Sequence, residues 1–181
     1  MSRPVLLVAL SGLPGVGKST AAEAIACRIG ALVVSVDPLE DALHRAGLTP
    51  SFETGWAAYL VADVVARDVL RMGLPVVVDA ANYVEAARDQ WRALARECGA
   101  HLRWVEVVCS DDSLHRQRLA TRDRGFDPTL EPSWSQVAAR RAETDPWSAD
   151  DEANLVRIDT AVPLTPQLHV VEGGAGPAPS G

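Results

Sequence analysis

Lysine is almost missing from this sequence. Lys18 is the only lysine among 17 basic residues, and 24 acidic residues give the chain a formal net charge of −7. Non-specific binding of nucleic acid depends on basic surface patches. The acidic balance therefore counts against a nucleic-acid partner and favours a small-molecule substrate. A guanine-recognising NKxD motif would need a second lysine, so the usual form of GTPase is excluded.

Patterns typical of disulfides, zinc sites and membrane helices are also lacking. The three cysteines (Cys27, Cys98 and Cys109) include no CxxC pair, which is typical of reduced thiols in a cytosolic protein. The four histidines are scattered, without the spacing of a structural zinc site. No apolar run approaches the roughly 20 residues that a membrane helix needs. We expect a cytoplasmic protein that does not contact a membrane.

Short apolar runs alternate with helical segments along the chain. Its 181 residues suit one domain, which we place at 1–171, and the Gly- and Pro-rich residues 172–181 predict a disordered tail. Runs that are apolar on both faces are typical of buried parallel strands covered by helices. The sequence therefore predicts an α/β fold, a three-layer α/β/α sandwich around a five-stranded parallel sheet. The predicted strands are Val5–Leu10, Leu32–Val36, Pro75–Asp79, Leu102–Val108 and Leu155–Asp159.

Helices are predicted between these strands from apolar spacing and from capping residues. Thr49 and Pro50 are expected to cap and begin a long helix that ends near Met72, and Ser133 with Gln136 forms a capping box. The other predicted helices are Ser19–Ile29, a short one between Leu39 and Gly47, Val84–Cys98, and one from Asp111 to Arg122.

Residues 12–19 follow the first predicted strand and match the pattern GxxxxGK[ST]. The glycines let backbone N–H groups wrap a phosphate, and the helix N-terminus adds positive partial charge. Lys18 can reach the β- and γ-phosphates as a compact charge, whereas a planar guanidinium is too wide for the loop. Ser19 can place its hydroxyl on Mg²⁺. The stretch predicts triphosphate binding by Gly12, Leu13, Pro14, Gly15, Val16, Gly17, Lys18, Ser19 and Thr20.

Polar residues also end three other predicted strands. Asp37, Asp79 and Asp159 lie at or just beyond these ends, as Gly12 does for the first strand. In parallel sheets of this type, ligands bind at the carboxyl ends of the strands. We therefore expect these residues to converge on one edge of the sheet.

With these motifs the chain resembles the small P-loop kinases, a group that includes gluconate kinase, chloramphenicol phosphotransferase and the kinase domain of polynucleotide kinase. The resemblance covers roughly residues 5–160. It rests on GLPGVGKST, on VVSVD ending at Asp37, on VVVDAAN around Asp79–Asn82, and on RLATRDR at 118–124. It implies a P-loop NTPase fold with a helical lid at about 118–142, and ATP and Mg²⁺ as cofactors.

The resemblance also implies roles for residues near the first three strands. Asp37 would accept the proton of the substrate hydroxyl, although its position also permits it to cap a helix. Asp79 would order Mg²⁺, directly or through water. Asn82 would position the substrate, or alternatively cap the next helix.

In the lid, the resemblance assigns Arg118, Arg122 and Arg124 to the phosphates, with Arg122 acting in catalysis. Arg118 and Arg122 are four residues apart and are expected to share a helical face. Asp159 and Thr160 would lie beside the adenine base.

The expected activity is that of an ATP-dependent phosphotransferase acting on a hydroxyl of a small molecule, with an antibiotic or another metabolite as acceptor. Two alternatives stay open: a 5′-hydroxyl nucleic-acid kinase, and a nucleotide-dependent regulatory ATPase or switch. Residues 39–71 are expected to build much of the acceptor pocket, but they match no single substrate class. The sequence names neither the acceptor nor the oligomeric state.

Overall fold

A computed structural model describes residues 4–122, 125 and 131–172 of the chain. Within these residues, five parallel strands form one sheet in the order β2-β3-β1-β4-β5. The strands are β1 (Leu6–Ser11), β2 (Leu32–Ser35), β3 (Val76–Asp79), β4 (His101–Val108) and β5 (Leu155–Asp159). The helices are α1 (Lys18–Ile29), α2 (Val36–Arg45), α3 (Phe52–Arg71), α4 (Glu85–Cys98), α5 (Asp112–Ala120), α6 (Trp134–Ala142), α7 (Ala149–Glu152) and α8 (His169–Glu172).

Alternating side chains of the strands supply two apolar layers, one on each face of the sheet. On the central strand β1, Leu7 and Ala9 belong to the layer that packs against α3 and α4, whereas Val8 and Leu10 belong to the layer against α1. All four side chains are fully buried, as expected for a strand covered on both faces. The predicted fold class, a five-stranded parallel sheet between helical layers, is confirmed.

Helix α2 starts earlier than predicted. It begins at Val36, directly after β2, and Ser35 occupies its N-cap position. Asp37 and Pro38 therefore lie in the first turn, where a proline is tolerated because that turn has no helical partner for its N–H groups. The first turn directs Asp37 to the carboxyl edge of the sheet without making it the cap.

The long helix α3 starts later than predicted. Its N-cap is Ser51, whose hydroxyl accepts a hydrogen bond from the backbone N–H of Thr54 at 3.2 Å. The prediction of Thr49 as the cap is wrong: its carbonyl oxygen instead accepts a hydrogen bond from the Thr54 hydroxyl at 2.8 Å. A serine two residues later competes successfully because both residue types can cap a helix.

Helices α5 and α6 lie on either side of residues 121–133, of which 121, 122, 125 and 131–133 are described. Helix α5 ends at Ala120, so Arg122 lies beyond it. The prediction that Arg118 and Arg122 share a helical face is therefore wrong. The capping box of α6 is confirmed, since the N–H of Ser133 donates to Gln136 Oε1 at 2.7 Å while the Ser133 hydroxyl accepts from the N–H of Gln136 at 3.4 Å.

Three short elements near the C-terminus were not predicted: α7, α8 and the 3₁₀ turn Thr165–Gln167. Each spans about one turn, which is too short for apolar periodicity to be recognised. Apart from Glu172, the predicted tail lies outside the described residues. Helices long and apolar enough to cross a bilayer are not found in the part of the chain that the structure describes.

Candidate active site

Residues 12–17 join β1 to α1 at the carboxyl edge of the sheet, and two glycines allow this loop to form. Gly12 has φ 152°, and a Cβ there would lie 2.4 Å from the carbonyl oxygen of Val107 on β4. Gly17 has φ 96° at the N-cap of α1. Residues with a side chain rarely adopt these angles, so glycine is needed both to approach β4 and to enter the helix.

Side chains from outside the loop fix several of its carbonyl groups. Lys18 Nζ donates to the carbonyl oxygen of Leu13 at 3.1 Å, and His115 Nε2 donates to that of Pro14 at 2.8 Å. Thr160 Oγ1 donates to the carbonyl oxygen of Val16 at 2.5 Å. A carbonyl oxygen that accepts a hydrogen bond from the protein is turned away from an anionic ligand. These carbonyls therefore do not compete with an anion at the N-terminus of α1. Within the loop, the N–H groups of Gly12 and Val16 donate to the carbonyl oxygens of Ala81 and Leu13, at 3.1 and 3.4 Å.

One cavity of about 610 Å³, the α1 cavity, lies beside the start of α1. Its volume is in the range of small-molecule sites. Arg118 donates to Oγ1 and to the carbonyl oxygen of Thr160, at 2.8 and 3.0 Å, which fixes both residues at the cavity wall. The lining contains the predicted nucleotide-binding residues Gly15, Gly17, Lys18, Ser19, Thr20, Arg118 and Thr160, together with Arg122 and the apolar stretch 162–164.

A second cavity of about 440 Å³, the α2 cavity, lies beside α2. Asp37, Glu40, Asp41 and His44 line it from one side, because spacings of three, four and seven residues share a helical face. Tyr59, Tyr83 and Arg140 are among the residues that line it from other elements. Lys18 and Arg122 line both cavities, so the two cavities meet at these cations.

Arg122 connects the α2 cavity to the segment that follows α5. Its guanidinium lies 3.5 Å from a carboxylate oxygen of Asp37 and 3.4 Å from one of Glu131. Lys18, Asp37 and Arg122, which were predicted to be catalytic, thus come together at one place. Arg124, the third predicted lid arginine, lies outside the described residues.

The chain matches a known protein family over most of its length. The model of an AAA domain family (AAA_33) matches residues 7–146. The chain belongs to this family. None of the curated proteins compared with the chain matches it.

Solved structures show which fold this AAA domain protein has. A Chloroflexus aurantiacus J-10-fl protein, whose assignment as a kinase is itself provisional, superimposes with a TM-score of 0.76 at 16% identity, covering 94% of this chain and 98% of that one. A gluconokinase from Sinorhizobium meliloti 1021 gives a TM-score of 0.63 at 22% identity, with coverages of 94% and 91%. The APS kinase of Mycobacterium tuberculosis, in complex with AMPPNP and APS, gives 0.64 at 19%, with coverages of 94% and 97%. The fold is that of the small P-loop kinases.

Nucleotides are bound together with Mg²⁺ in P-loop folds, and the residues of this AAA domain protein fit that ion. Ser19 is exposed in the first turn of α1 and lines the α1 cavity. Asp79 is 7% exposed at the end of β3 and accepts a hydrogen bond from the Ser35 hydroxyl at 3.3 Å. Among the described residues there is no cluster of three or more metal-binding side chains. One hydroxyl and one carboxylate suit Mg²⁺, which keeps waters and takes phosphate oxygens as further ligands.

Asn82 does not lie where a substrate can reach its side chain. It is fully buried with φ 47°, an angle that asparagine tolerates better than most residues. Its Nδ2 donates to the carbonyl of Leu10 at 2.6 Å, and its Oδ1 accepts from the indole N–H of Trp91 at 2.9 Å. Because both ends of the amide are bonded to the protein, we replace the predicted substrate contact by a role in fixing the turn after β3.

Asp159 and Thr160 were predicted together but have different surroundings. Asp159 Oδ1 accepts hydrogen bonds from the N–H groups of Ser110 and Ala161, at 3.0 and 2.9 Å. These bonds, that of Ser110 above all, hold the pKa of Asp159 below its ordinary value. Thr160, and not Asp159, lines the α1 cavity. Asp159 therefore ties the end of β4 to the end of β5 and shapes the edge of the cavity.

Several residues of the site were missed in the sequence. Glu40, Asp41 and His44 could have been found, since they follow Asp37 at helical spacing once the helix is known to begin at Val36. Tyr59 and Tyr83 come from different elements and carry no local signal. Burial raises the pKa of the Tyr59 phenol above its already high ordinary value, so Tyr59 stays protonated at neutral pH.

Proposed function

We propose that the protein transfers the γ-phosphoryl group of ATP to a hydroxyl group of a small molecule. The observation that carries this proposal is that the α1 and α2 cavities share Lys18 and Arg122. Phosphoryl transfer depends on positioning and on cations placed where charge develops between donor and acceptor. ATP would occupy the α1 cavity and the acceptor the α2 cavity.

Asp37 is the candidate base because it lines the α2 cavity beside Arg122. In the proposed step a carboxylate oxygen of Asp37 takes the proton of the acceptor hydroxyl. The hydroxyl oxygen then forms a bond to the γ-phosphorus, the bond from this phosphorus to the bridging oxygen breaks, and ADP leaves. Lys18 and Arg122 offset the negative charge of the transferring group.

The ion pair between Arg122 and Asp37 supports an exchange of partners during this step. Its 3.5 Å separation is longer than the 2.7–2.9 Å of a strong charge-assisted hydrogen bond. A γ-phosphate at the junction of the cavities would offer Arg122 a more highly charged partner. Arg122 would then turn to the phosphate, and Asp37 would accept the hydroxyl proton instead.

When bound, Mg²⁺ would neutralise part of the phosphate charge. Ser19 and Asp79 are the residues that would hold it, as their positions in the α1 cavity and at the end of β3 suggest.

The α2 cavity suggests what kind of acceptor to try. Its size suits a molecule of metabolite or antibiotic dimensions. The carboxylates of Glu40 and Asp41 accept hydrogen bonds, and the protonated phenol of Tyr59 can donate one. A compound with several hydroxyl groups would satisfy such a wall. The named structural neighbours are consistent with a small acceptor, since one is a gluconokinase and another is an APS kinase in complex with APS.

The proposal is tested by ³¹P NMR of the protein with Mg·ATP and pooled hydroxyl compounds: nucleosides, sugars, aminocyclitols, phenylpropanoid antibiotics and a 5′-hydroxyl oligonucleotide. We expect a new phosphomonoester signal that is absent with the Lys18→Ala variant. Dividing the pool then identifies the acceptor, and a signal from the oligonucleotide would establish the nucleic-acid kinase instead. Release of inorganic phosphate alone, or bound ATP that stays intact, would favour the regulatory ATPase or switch.

A further inference from the structure

His115 on α5 is a fully buried histidine directly behind the phosphate-binding loop, and the proposed chemistry does not use it. Its Nε2 lies 2.8 Å from the carbonyl oxygen of Pro14. A carbonyl oxygen can only accept, so Nε2 carries the hydrogen and donates it. Within the described part of the chain, the other ring nitrogen, Nδ1, is buried without a hydrogen-bond partner.

The imidazole ring is held between the loop and α6. The ring of Trp134, the first residue of α6, meets it edge-on, with centroids 5.0 Å apart and an interplanar angle of 82°. On the loop side, a Cβ placed on Gly15 would lie 3.3 Å from Cδ2 of His115. The guanidinium of Arg116 lies 4.6 Å over the Trp134 ring. His115 therefore connects the loop to both helices that flank the arginine-rich segment.

We propose that His115 is a positioning residue that keeps the phosphate-binding loop in its binding shape while Lys18 changes partners. The proposal rests on the proposed function, because it assumes a nucleotide in the α1 cavity. Lys18 now donates to the carbonyl of Leu13, and it must give up this bond to reach a phosphate. The bond from His115 to Pro14 involves no group that binds phosphate, so it persists through that exchange.

If His115 served only for packing, phenylalanine would replace it without loss of nucleotide binding. A buried nitrogen without a partner costs free energy that an aromatic hydrocarbon of similar shape would not. Phenylalanine could keep the edge-on contact with Trp134 but could not donate to Pro14. Glutamine could place an amide donor near the position of Nε2. If the hydrogen bond to Pro14 is what matters, glutamine preserves nucleotide binding and phenylalanine does not.

The test compares wild type, His115→Phe, His115→Gln and Lys18→Ala by calorimetric titration with Mg·AMPPNP, with melting temperatures as the folding control. We expect about 10-fold weaker binding for H115F, the upper end of what one lost hydrogen bond costs, because His115 is fully buried. Binding by H115Q should stay within about 3-fold of wild type. Where an acceptor is known, H115F should raise KM for ATP more than it lowers kcat. Equal affinities for H115F and wild type, or equal losses in H115F and H115Q, would overturn the proposal.

Two further results distinguish failure of the inference about His115 from failure of the proposed function. If wild type itself does not bind Mg·AMPPNP, the proposed function fails and the inference fails with it. If wild type binds and H115F is too unstable to measure, long-range ¹H–¹⁵N NMR of the wild-type imidazole replaces the variant. The Nε2-protonated form should then persist when AMPPNP is added, and its loss on binding would contradict the proposal.

Discussion

Two regions of the molecule bury charged side chains, and they satisfy them in different ways. Beneath α4, the guanidinium of Arg88 is fully buried and lies 3.9 Å over the ring of Trp147. It donates to the carbonyl oxygens of Asn82 at 2.9 Å, Tyr83 at 3.3 Å, Asp145 at 2.9 Å and Pro146 at 3.0 Å. Nearby, Asp151 accepts hydrogen bonds from Arg92, Ser148 and Trp104.

At the candidate site the partners are ones that a ligand can replace. Lys18 is 9% exposed and donates to the carbonyl of Leu13, and Arg122 lies 3.5 Å from Asp37. A phosphate would compete with both partners, whereas nothing in a ligand can replace the interior carbonyls that bind Arg88. Burial of charge thus serves stability beneath α4 and ligand binding at the loop. Substitutions in the first region should change the free energy of unfolding, and those in the second should change activity.

The largest effect is expected from Lys18→Ala. Removing the compact cation at the junction of the two cavities should lower kcat/KM for ATP about 10³-fold or more, as loss of a preorganised charge on a transferring group does. The free energy of unfolding should change much less than activity, because the bond from Lys18 to the carbonyl of Leu13 joins neighbouring parts of one loop. Phosphate transfer and urea unfolding measure the two effects. Lys18→Arg should be nearly as inactive, and wild-type turnover in either variant would contradict the assigned role.

The next effect should appear in stability and not in activity. Asp151→Asn removes the charge from a carboxylate that is 5% exposed and weakens its hydrogen bonds with Arg92, Ser148 and Trp104. Arg92 is only partly buried and keeps its ion pairs with Glu85 and Asp89, so we expect a loss of about 2 kcal/mol of unfolding free energy. Glu152→Gln, at the next position of α7, is the matched control. Its half-exposed ion pair with Arg157 should contribute about 0.5 kcal/mol or less. Equal losses of unfolding free energy in the two variants would mean that the buried charges beneath α4 do not stabilise the fold more than a surface ion pair does.

The effect of Asp151 should also depend on pH. Burial alone would raise the pKa of this carboxyl group, but hydrogen bonds from Arg92, Ser148 and Trp104 outweigh it and hold the pKa below its ordinary value. A carboxyl group with a lowered pKa in the folded state stabilises the fold fully above its unfolded pKa. That stabilisation is lost as the pH falls through the folded pKa. The difference between wild type and Asp151→Asn should therefore shrink below about pH 4 in urea unfolding series.

The sequence was sufficient for features that depend on local pattern. The phosphate-binding loop combines glycines, Lys18 and Ser19 at fixed spacing between a strand and a helix, so motif and context agree. The capping box of Ser133 and Gln136 is equally local. Buried strands with apolar residues on both faces decided the fold class, because only a parallel sheet between helices hides both faces.

Features that depend on tertiary contact were beyond the sequence. The resemblance implied a substrate contact for Asn82, but its side chain is bonded to Leu10, which is 72 residues away, and to Trp91 on the next helix. Tyr59 reaches the α2 cavity only because α3 packs beside α2. His115 had no motif at all, since its partner Pro14 lies 101 residues away.

Asp37→Asn should have a smaller effect than Lys18→Ala and should act on the chemical step. Loss of a general base lowers kcat about 10²-fold, while the dissociation constant for ATP should stay within about 2-fold because Asp37 lines the α2 cavity only. Steady-state kinetics and calorimetric titration separate the two quantities. Asp41→Asn changes a second carboxylate of the same cavity and should alter the acceptor KM at most. Equal loss of ATP affinity in Asp37→Asn would make Asp37 a structural residue.

The smallest effect should come from Thr160→Val, which removes a hydroxyl from the wall of the α1 cavity. That hydroxyl donates to Val16 at 2.5 Å and accepts from Arg118 at 2.8 Å, so its loss leaves one loop carbonyl without this donor and loosens the arginine. We expect about 5-fold weaker binding of Mg·AMPPNP, close to the contribution of one hydrogen bond. Thr121→Val removes an exposed hydroxyl at the end of α5 and should leave binding unchanged. If Thr160→Val binds as wild type does, the hydrogen bond to Val16 is not needed for the binding shape of the loop. The contrast between exchangeable and fixed side-chain partners of the loop then narrows to Lys18 and His115.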